Sequence, residues 1–304
     1  MPRHMPQDIR DKAFITHDDV AGLNFVKADG PYVFRRHFRQ GLRSHILEVL
    51  KRHDVERERT GTIVDGLRWF PKAKPAWVFR IFRTRLETVD NALKEIGRVK
   101  IVEKFLAPDF IAISSEFLVD YHGPEGPDLM LCGFQRYVEG EIVDPWTLLQ
   151  PLAYISTLHD SLNKPMHLEG AFKTQWIRSA RRNAARFVDR IKKMVWQTGY
   201  LPDLAGIGNL IISKTGEINL VDINNISHVV FDDRIRIDDR GYPVCDKSIE
   251  ALSLIEEKVI GRTPNRSELL YQTFLNPQRQ SAVKKHEAQF YRKSRHLNGY
   301  PALR

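Results

Sequence analysis

The stretch GNLIISKTGEINLVDINN, residues 208–225, consists of two apolar runs separated by a polar Lys-Thr-Gly turn. Short apolar runs around a glycine-containing turn predict a β-hairpin. Asn209 opens the first run and Asp222 closes the second, so the two side chains are expected to lie close in space. Amide and carboxylate oxygens are ligands that Mg²⁺ accepts while it keeps waters and phosphate oxygens. The hairpin therefore predicts a magnesium–phosphate site at its open end.

Each of these residues also has a simpler interpretation. An asparagine before a strand is typical of a turn-capping amide, and Asp222 is placed to form a turn with Asn224. The thirteen-residue interval between Asn209 and Asp222, taken with the order of the surrounding elements, favours the metal site over two unrelated turns.

The composition indicates a globular protein with one large or two moderate domains, because 304 residues with 42% hydrophobic and 28% charged residues can bury a sizeable core. The net charge of +9 suggests an anionic partner such as nucleic acid, nucleotide, phospholipid or an acidic protein. No apolar run approaches the roughly 20 residues of a membrane span, and no secretory signal is recognisable. The two cysteines, Cys132 and Cys245, form no CxxC pair, so a cytoplasmic location is expected.

Strand patterns concentrate in the first half of the chain. Residues 1–20 are polar and are expected to be loosely held, and residues 32–52 are expected to begin extended and become helical. Strands are predicted within 60–83 and within 110–140, with a helix at 84–104 between them.

Helical patterns dominate the second half, at 146–162, 174–197 and 246–260. This segregation predicts an α+β protein in which a sheet lobe precedes a helical lobe. The expected organisation is an N-terminal extension at 1–55, an N-lobe at 56–140, a C-lobe at 141–275 and a basic C-terminal tail at 276–304.

These features resemble the protein-kinase-like superfamily. In that family a metal-binding Asn ends the catalytic loop, and a metal-binding Asp opens an Asp-Phe-Gly-type motif thirteen residues later, as Asn209 and Asp222 would here. The helix at 174–197 is similar to the one that leads into the catalytic loop, and DKSIEALSLIEE is similar to the buried C-lobe helix whose leading Asp, Asp246, braces that loop. The resemblance implies a two-lobed fold with an N-terminal antiparallel sheet, one main N-lobe helix and a mostly helical C-lobe. It also implies ATP and Mg²⁺ bound between the lobes.

The resemblance also assigns the nucleotide contacts. The family's phosphate-binding strand lysine corresponds to Arg80, or less closely to Arg83, and an Arg is an acceptable phosphate clamp with a different geometry. Its helix partner corresponds to Glu95, which is preferred over Glu87. A surface ion pair is the simpler interpretation of Arg80 with Glu95.

The strand LMLCGFQRYVEG, residues 129–140, is similar to the last N-lobe strand entering the hinge. That similarity places Gln135 near the gatekeeper position, and it makes the backbone from Arg136 to Val138 the expected nucleotide contact.

The sequence departs from the family at three places. The family's catalytic Asp stands five residues before the metal Asn, where this chain has Leu204; Asp203 lies one residue earlier, and a bulge at Gly206 and Gly208 would return it to the site. The Asp-Phe-Gly motif keeps only Asp222. No GxGxxG loop is present, and the turn between Gly61 and Gly66 is the candidate replacement.

The function expected from the resemblance is ATP-dependent phosphotransfer, with Asp203 orienting the acceptor hydroxyl. The acceptor is not identified, and the basic charge favours an anionic one. One alternative is a pseudokinase that acts as a nucleotide-binding or regulatory module, which Leu204 and the missing glycine loop favour. A second is a nucleic-acid-binding protein that uses the arginines within 35–43 and 178–193, although no known nucleic-acid motif is recognisable.

Overall fold

The computed structural model describes residues 7–38, 41, 43–164, 170–223 and 225–298. Its strands are β1 Tyr32–Arg36, β2 Ser44–Lys51, β3 Thr62–Val64, β4 Leu67–Trp69, β5 Trp77–Phe82, β6 Ser114–Gly123, β7 Gly126–Arg136, β8 Glu141–Ile142, β9 Tyr200–Pro202, β10 Leu210–Ile212, β11 Ile218–Leu220 and β12 Ile226–His228. Its α-helices are α1 His17–Ala21, α2 Arg52–Thr60, α3 Val89–Leu106, α4 Pro151–Leu162, α5 Ala171–Thr198, α6 Val244–Ile255, α7 Leu269–Phe274 and α8 Pro277–Asn298. A π-helical turn, Glu256–Ile260, continues α6.

The chain forms two compact units. The N-terminal unit contains the described residues up to Gly97 together with Ala112–Tyr137, and the C-terminal unit contains Arg98–Ile111 and the described residues from Val138 onward. Five antiparallel strands form the sheet of the N-terminal unit, in the order β1-β2-β5-β7-β6. Long helices dominate the C-terminal unit. The α+β class, with an N-terminal antiparallel sheet and a mostly helical second half, is therefore confirmed.

Both faces of the five-stranded sheet are covered. On one face, Leu47, Phe79 and Cys132 belong to a cluster that also holds Ile9 and Val20 of the N-terminal segment. On the other face, Phe82 and Leu131 pack with Ala92 and Ile96 of α3. The side chains of successive residues in one strand therefore pack alternately against the N-terminal segment and against α3.

The expectation that residues 1–20 are loosely held is wrong for the described part of that segment. Ile9, Ile15 and Val20 are buried against the sheet. The buried guanidinium of Arg10 binds the carboxylates of Asp8 at 2.8 Å and of Asp128, on β7, at 2.7 Å. The polar residues that suggested a loose end are paired with one another, and the few apolar residues between them anchor the segment.

The expectation that residues 32–52 become helical is also wrong. Residues 44–51 form β2, which pairs with β1 on one side and with β5 on the other. These two strands lie within the segment 1–55 that was predicted to be an N-terminal extension, and they supply two of the five strands of the sheet. The turn between Gly61 and Gly66, which was the candidate phosphate loop, belongs to a separate two-stranded hairpin, β3–β4.

The C-terminal unit is built around α5, whose apolar stripe was predicted from sequence. Ala184, Phe187 and Ile191 on this helix are fully buried in one core with residues of α4, α6 and the β10–β11 hairpin. The helix ends at Gly199, which adopts a left-handed conformation (φ +71°) and donates its N–H to the Val195 carbonyl. The predicted basic tail at 276–304 contains a helix, α8.

Candidate active site

The quoted stretch forms the predicted hairpin at the heart of the C-terminal unit. Strands β10 and β11 are antiparallel, with Leu210 opposite Leu220, and Ile142 of β8 pairs with Ile211. The backbone N–H of Val221 donates to the carbonyl of Asn209 at 2.8 Å. This bond places residue 222 beside residue 209, so the hairpin ends meet as the sequence predicted.

Asn209 is held in place by the loop that precedes it. Its Nδ2 donates to the backbone carbonyl of Asp203 at 2.9 Å. Because the amide nitrogen is used in this way, Oδ1 is the acceptor end of the side chain.

The carboxylate of Asp203 is oriented by three donors. Its Oδ1 accepts from the backbone N–H groups of Ala205 and Gly206 at 2.9 and 3.2 Å, and its Oδ2 accepts from Nδ2 of Asn225 at 3.3 Å. Burial and the negative charge of Asp222 raise the pKa of Asp203 to about 6, despite these hydrogen bonds. The charge of Asp222 thus reaches Asp203, and the backbone carbonyl of Asp203 in turn holds the amide of Asn209.

Two glycines allow the loop to adopt this shape. A Cβ atom on Gly206 would lie 2.6 Å from Nδ2 of Asn209, so only glycine leaves room for the amide. Gly208 has a φ of +95°, a conformation that L-residues with a side chain rarely adopt. The two glycines of the predicted bulge are thus each required for a different steric reason.

Leu204, which occupies the position of the family's catalytic Asp, faces the core. Its side chain is fully buried in the cluster around α5, and its backbone N–H donates to Oγ of Ser248 on α6 at 3.1 Å. Trp146 also contacts the loop, since its indole N–H donates to the Ala205 carbonyl at 3.0 Å. Ser248 and Trp146 were not identified from sequence, because both contacts depend on long-range packing.

The leading Asp of α6 has a different partner from the one implied by the resemblance. Asp246 is buried and forms an ion pair with Arg279 of α8. Burial raises the pKa of Asp246 in spite of that partner. Among the described residues, it is Ser248, two residues further along α6, that accepts a hydrogen bond from the loop.

In the N-terminal unit, Arg80 lies on β5 with Phe82, on the sheet face that α3 covers. It is buried, and its Nη2 donates to Oε1 of Gln135 on β7. Arg83 instead contacts the N-terminal segment, at the Ala13 carbonyl. The prediction that Arg80, rather than Arg83, faces α3 therefore agrees with the alternation of side chains along β5.

The remaining predicted nucleotide contacts lie in two elements. Glu95 is half-buried on α3, whereas Glu87 is exposed before the helix begins. Arg136 ends β7 with an exposed side chain, and its N–H donates to the Ile113 carbonyl at 2.8 Å. Val138 is half-buried and is the first residue of its segment in the C-terminal unit. Their roles in binding nucleotide stay predictions.

Some predicted positions fall outside the described residues. Asn224, the last residue of the degenerate Asp-Phe-Gly motif, is one, and Arg39 of the arginine-rich segment is another.

In the part of the chain that the structure describes, no helix combines the length and apolarity needed to span a membrane.

The donor set suits magnesium better than zinc or another transition metal. Within the described residues, no group of three or more His, Cys, Asp and Glu side chains is arranged to hold a metal. The site offers instead one amide oxygen and the adjacent carboxylates of Asp203 and Asp222, whose mutual repulsion a divalent cation would relieve. Mg²⁺ commonly binds through one or two protein oxygens and fills its other positions with water and phosphate.

A comparison with solved structures finds a likeness to one described as the ROP18 kinase domain in complex with AMP-PNP and sucrose. The match covers 88% of this chain and 83% of that one, with 9% sequence identity and a TM-score of 0.36. No family model matches the chain, and no curated protein matches it. At this identity and TM-score the likeness carries no information about function.

Proposed function

We propose that this protein is a kinase-like phosphotransferase that uses ATP and Mg²⁺. The observation that carries the proposal is the convergence of Asp203, Asn209 and Asp222, together with the raised pKa of Asp203. An oriented carboxylate beside a second carboxylate and an amide oxygen supplies the hydrogen-bond acceptor and the oxygen ligands that metal-assisted transfer to a hydroxyl uses.

In this proposal the residues have separate roles. Oδ1 of Asn209 and the carboxylate of Asp222 would hold Mg²⁺, which would neutralise charge on the phosphates. Asp203, fixed by two backbone N–H groups, would accept a hydrogen bond from the acceptor hydroxyl and take its proton as the phosphoryl group is transferred. Arg80, with Glu95, is proposed to contact the nucleotide phosphates, and the backbone at Arg136 and Val138 the base.

One observation favours the pseudokinase alternative. The side chain of Leu204 lies in the core, so the position of the family's catalytic Asp offers no acid or base there. If Asp203 does not replace it, the site would bind nucleotide without transferring phosphate.

Nucleotide binding is the first test. Thermal unfolding of the full chain is measured with ATP, ADP and a non-hydrolysable ATP analogue, each with and without Mg²⁺, for the wild type and for Asp222→Asn. A magnesium-dependent rise in Tm that Asp222→Asn abolishes is expected, whereas the absence of any rise in the wild type would refute nucleotide binding altogether.

Turnover is the second test. Incubation with ATP labelled at the γ-phosphate or at the α-phosphate distinguishes phosphoryl transfer from AMP transfer to the chain or to added acceptors. Transfer that Asp203→Asn abolishes while nucleotide binding remains would support the enzyme. Magnesium-dependent binding with no transfer across a broad acceptor set would favour the pseudokinase.

A further inference from the structure

The β3–β4 hairpin exposes an unusual amount of apolar surface. Ile63, Val64, Leu67, Trp69 and Phe70 are each between 50% and 66% exposed. Scattered exposed apolar residues are common on protein surfaces, but several on one short hairpin mark an interaction site or an aggregation hazard.

The hairpin is a well-defined structure. Asp65 and Gly66 form its two-residue loop with φ values of +51° and +78°, as a type I′ turn requires. Its base is tied to α2, because Nε of Arg57 donates to Oγ1 of Thr62 at 3.3 Å, and Nη1 of Arg68 donates to the Thr60 carbonyl at 3.4 Å. The apolar residues are therefore presented on a short, locally braced element.

The two faces of the hairpin differ in chemistry. Val64 pairs with Leu67 and Thr62 pairs with Trp69, so these four uncharged side chains share one face. Arg68 pairs with Ile63 and lies on the opposite face. The hairpin thus has one uncharged, mainly apolar face and a second face that carries Arg68 with Ile63.

Basic residues flank the hairpin in the chain. Residues 51–74 contain seven Lys and Arg against four Asp and Glu, and the exposed ones include Arg59 and Lys72. With a net charge of +9 on the whole chain, a second copy of this protein would be repelled. Charge complementarity requires a negatively charged partner.

We propose that the apolar face of the β3–β4 hairpin docks onto an anionic phospholipid bilayer. A bilayer suits both features, since its acyl boundary receives Leu67 and Trp69 and its anionic headgroups attract the basic residues that flank the hairpin. Nucleic acid fits less well, because Val64 and Leu67 offer no stacking surface. Asp65 at the tip opposes deep insertion, so the hairpin lies flat at the headgroup level. This proposal is independent of the proposed phosphotransfer.

Vesicle flotation tests the proposal with the full chain. Vesicles of phosphatidylcholine alone are compared with vesicles that also contain phosphatidylglycerol, and the wild type is compared with the double variant Leu67→Ser/Trp69→Ser. The variant is expected to lose about tenfold or more of its partitioning onto anionic vesicles, because both side chains leave the interface. Its Tm should match that of the wild type, since both residues are exposed.

Two further variants make the result specific. Leu148→Ser is the matched control, because Leu148 is 96% exposed in the C-terminal unit and should not alter partitioning. Arg59→Gln/Lys72→Gln removes two exposed charges that flank the hairpin, and it should weaken anionic binding roughly tenfold at low salt and reduce the salt dependence of that binding.

Three outcomes would overturn the proposal. The first is a wild type that does not float with anionic vesicles. The second is a Leu67→Ser/Trp69→Ser variant that floats as well as the wild type, which would reduce the interaction to general charge attraction. The third is retention of the wild type by an oligonucleotide but not by vesicles, which would identify nucleic acid as the anionic partner.

Discussion

The substitution Asp203→Asn is expected to stabilise the protein at neutral pH while it removes turnover. Burial and the charge of Asp222 raise the pKa of Asp203 from 3.8 to about 6. The folded state thus holds this proton more tightly than the unfolded state does, and folding stability falls as pH rises through the interval between these two values. Below that interval the carboxyl group is protonated in both states, and it imposes no penalty.

The size of the penalty follows from the shift in pKa. A shift of about two units, at about 1.4 kcal/mol per unit, corresponds to at most about 3 kcal/mol at pH above 6. Asparagine keeps the acceptor oxygen for the N–H groups of Ala205 and Gly206 and carries no charge, while its Nδ2 replaces the oxygen that accepts from Asn225, whose amide must then turn its own oxygen toward residue 203. We therefore expect Asp203→Asn to raise the free energy of unfolding by about 1–3 kcal/mol at pH 7.5 and to change it little near pH 4.

Urea unfolding at the two pH values measures this difference. Asp120→Asn, an exposed change on β6, is the matched control and should stay within about 0.5 kcal/mol at both. In an Asp222→Asn background the gain from Asp203→Asn should shrink, because one of the two causes of the shift is gone. Equal destabilisation of the variant at both pH values would refute the conclusion that the charged form of Asp203 is disfavoured in the folded protein.

Three other predictions follow from the same structure. Turnover, measured as phosphate transfer against pH, should rise as Asp203 loses its proton, at a pH below about 6 because Mg²⁺ held at Asp222 would offset part of the shift, and a profile that is flat from about pH 4 to 8 would contradict its role as a base. Gly206→Ala should cost about 1–3 kcal/mol in urea unfolding and abolish the magnesium-dependent Tm shift, because its Cβ would meet the amide of Asn209 at 2.6 Å. The control Gly97→Ala, in the open on α3, should instead stabilise by about 0.5–1 kcal/mol. Replacing the buried Arg10 with Leu should cost about 3–5 kcal/mol in unfolding free energy and open the N-terminal segment to limited proteolysis, and unchanged protease resistance would argue against its anchoring role.

Local patterns predicted the hairpin and the long helix correctly. The Lys-Thr-Gly turn between two apolar runs needs no distant contact to be recognised, and the stripe through Ala184, Phe187 and Ile191 repeats with the period of a helix. The meeting of Asn209 with Asp222 follows from the hairpin alone. These features were predictable because each depends on residues close together in the chain.

Strand β2 shows why other features were not predictable. Ile46, Val49 and Leu50 are three and four residues apart, which is also the spacing of one helix face. In the structure, Leu47 and Val49 face the cluster with the N-terminal segment, while Ile46 lies on the face of Arg80, its partner on β5. A strand covered on both faces reads as a continuous apolar run, and periodicity cannot distinguish such a run from a buried helix.

The choice between Asp203 and Leu204 depends on a contact that no local pattern contains. Strand β9 pairs with β12, with Pro202 opposite Ile226, and this register brings the side chain of Asn225 to Asp203. Because successive residues of an extended chain point to opposite sides, a carboxylate that reaches Asn225 leaves Leu204 to face the core. A shift of one residue in that pairing would exchange the two side chains, placing a carboxylate in the apolar cluster around α5 and a leucine beside Asp222. An unpaired charge in that apolar cluster would cost far more free energy than the partial burial that raises the pKa of Asp203. The packing of Leu204 in the core around α5 therefore keeps the acidic group at residue 203, one residue earlier than the family's spacing implies.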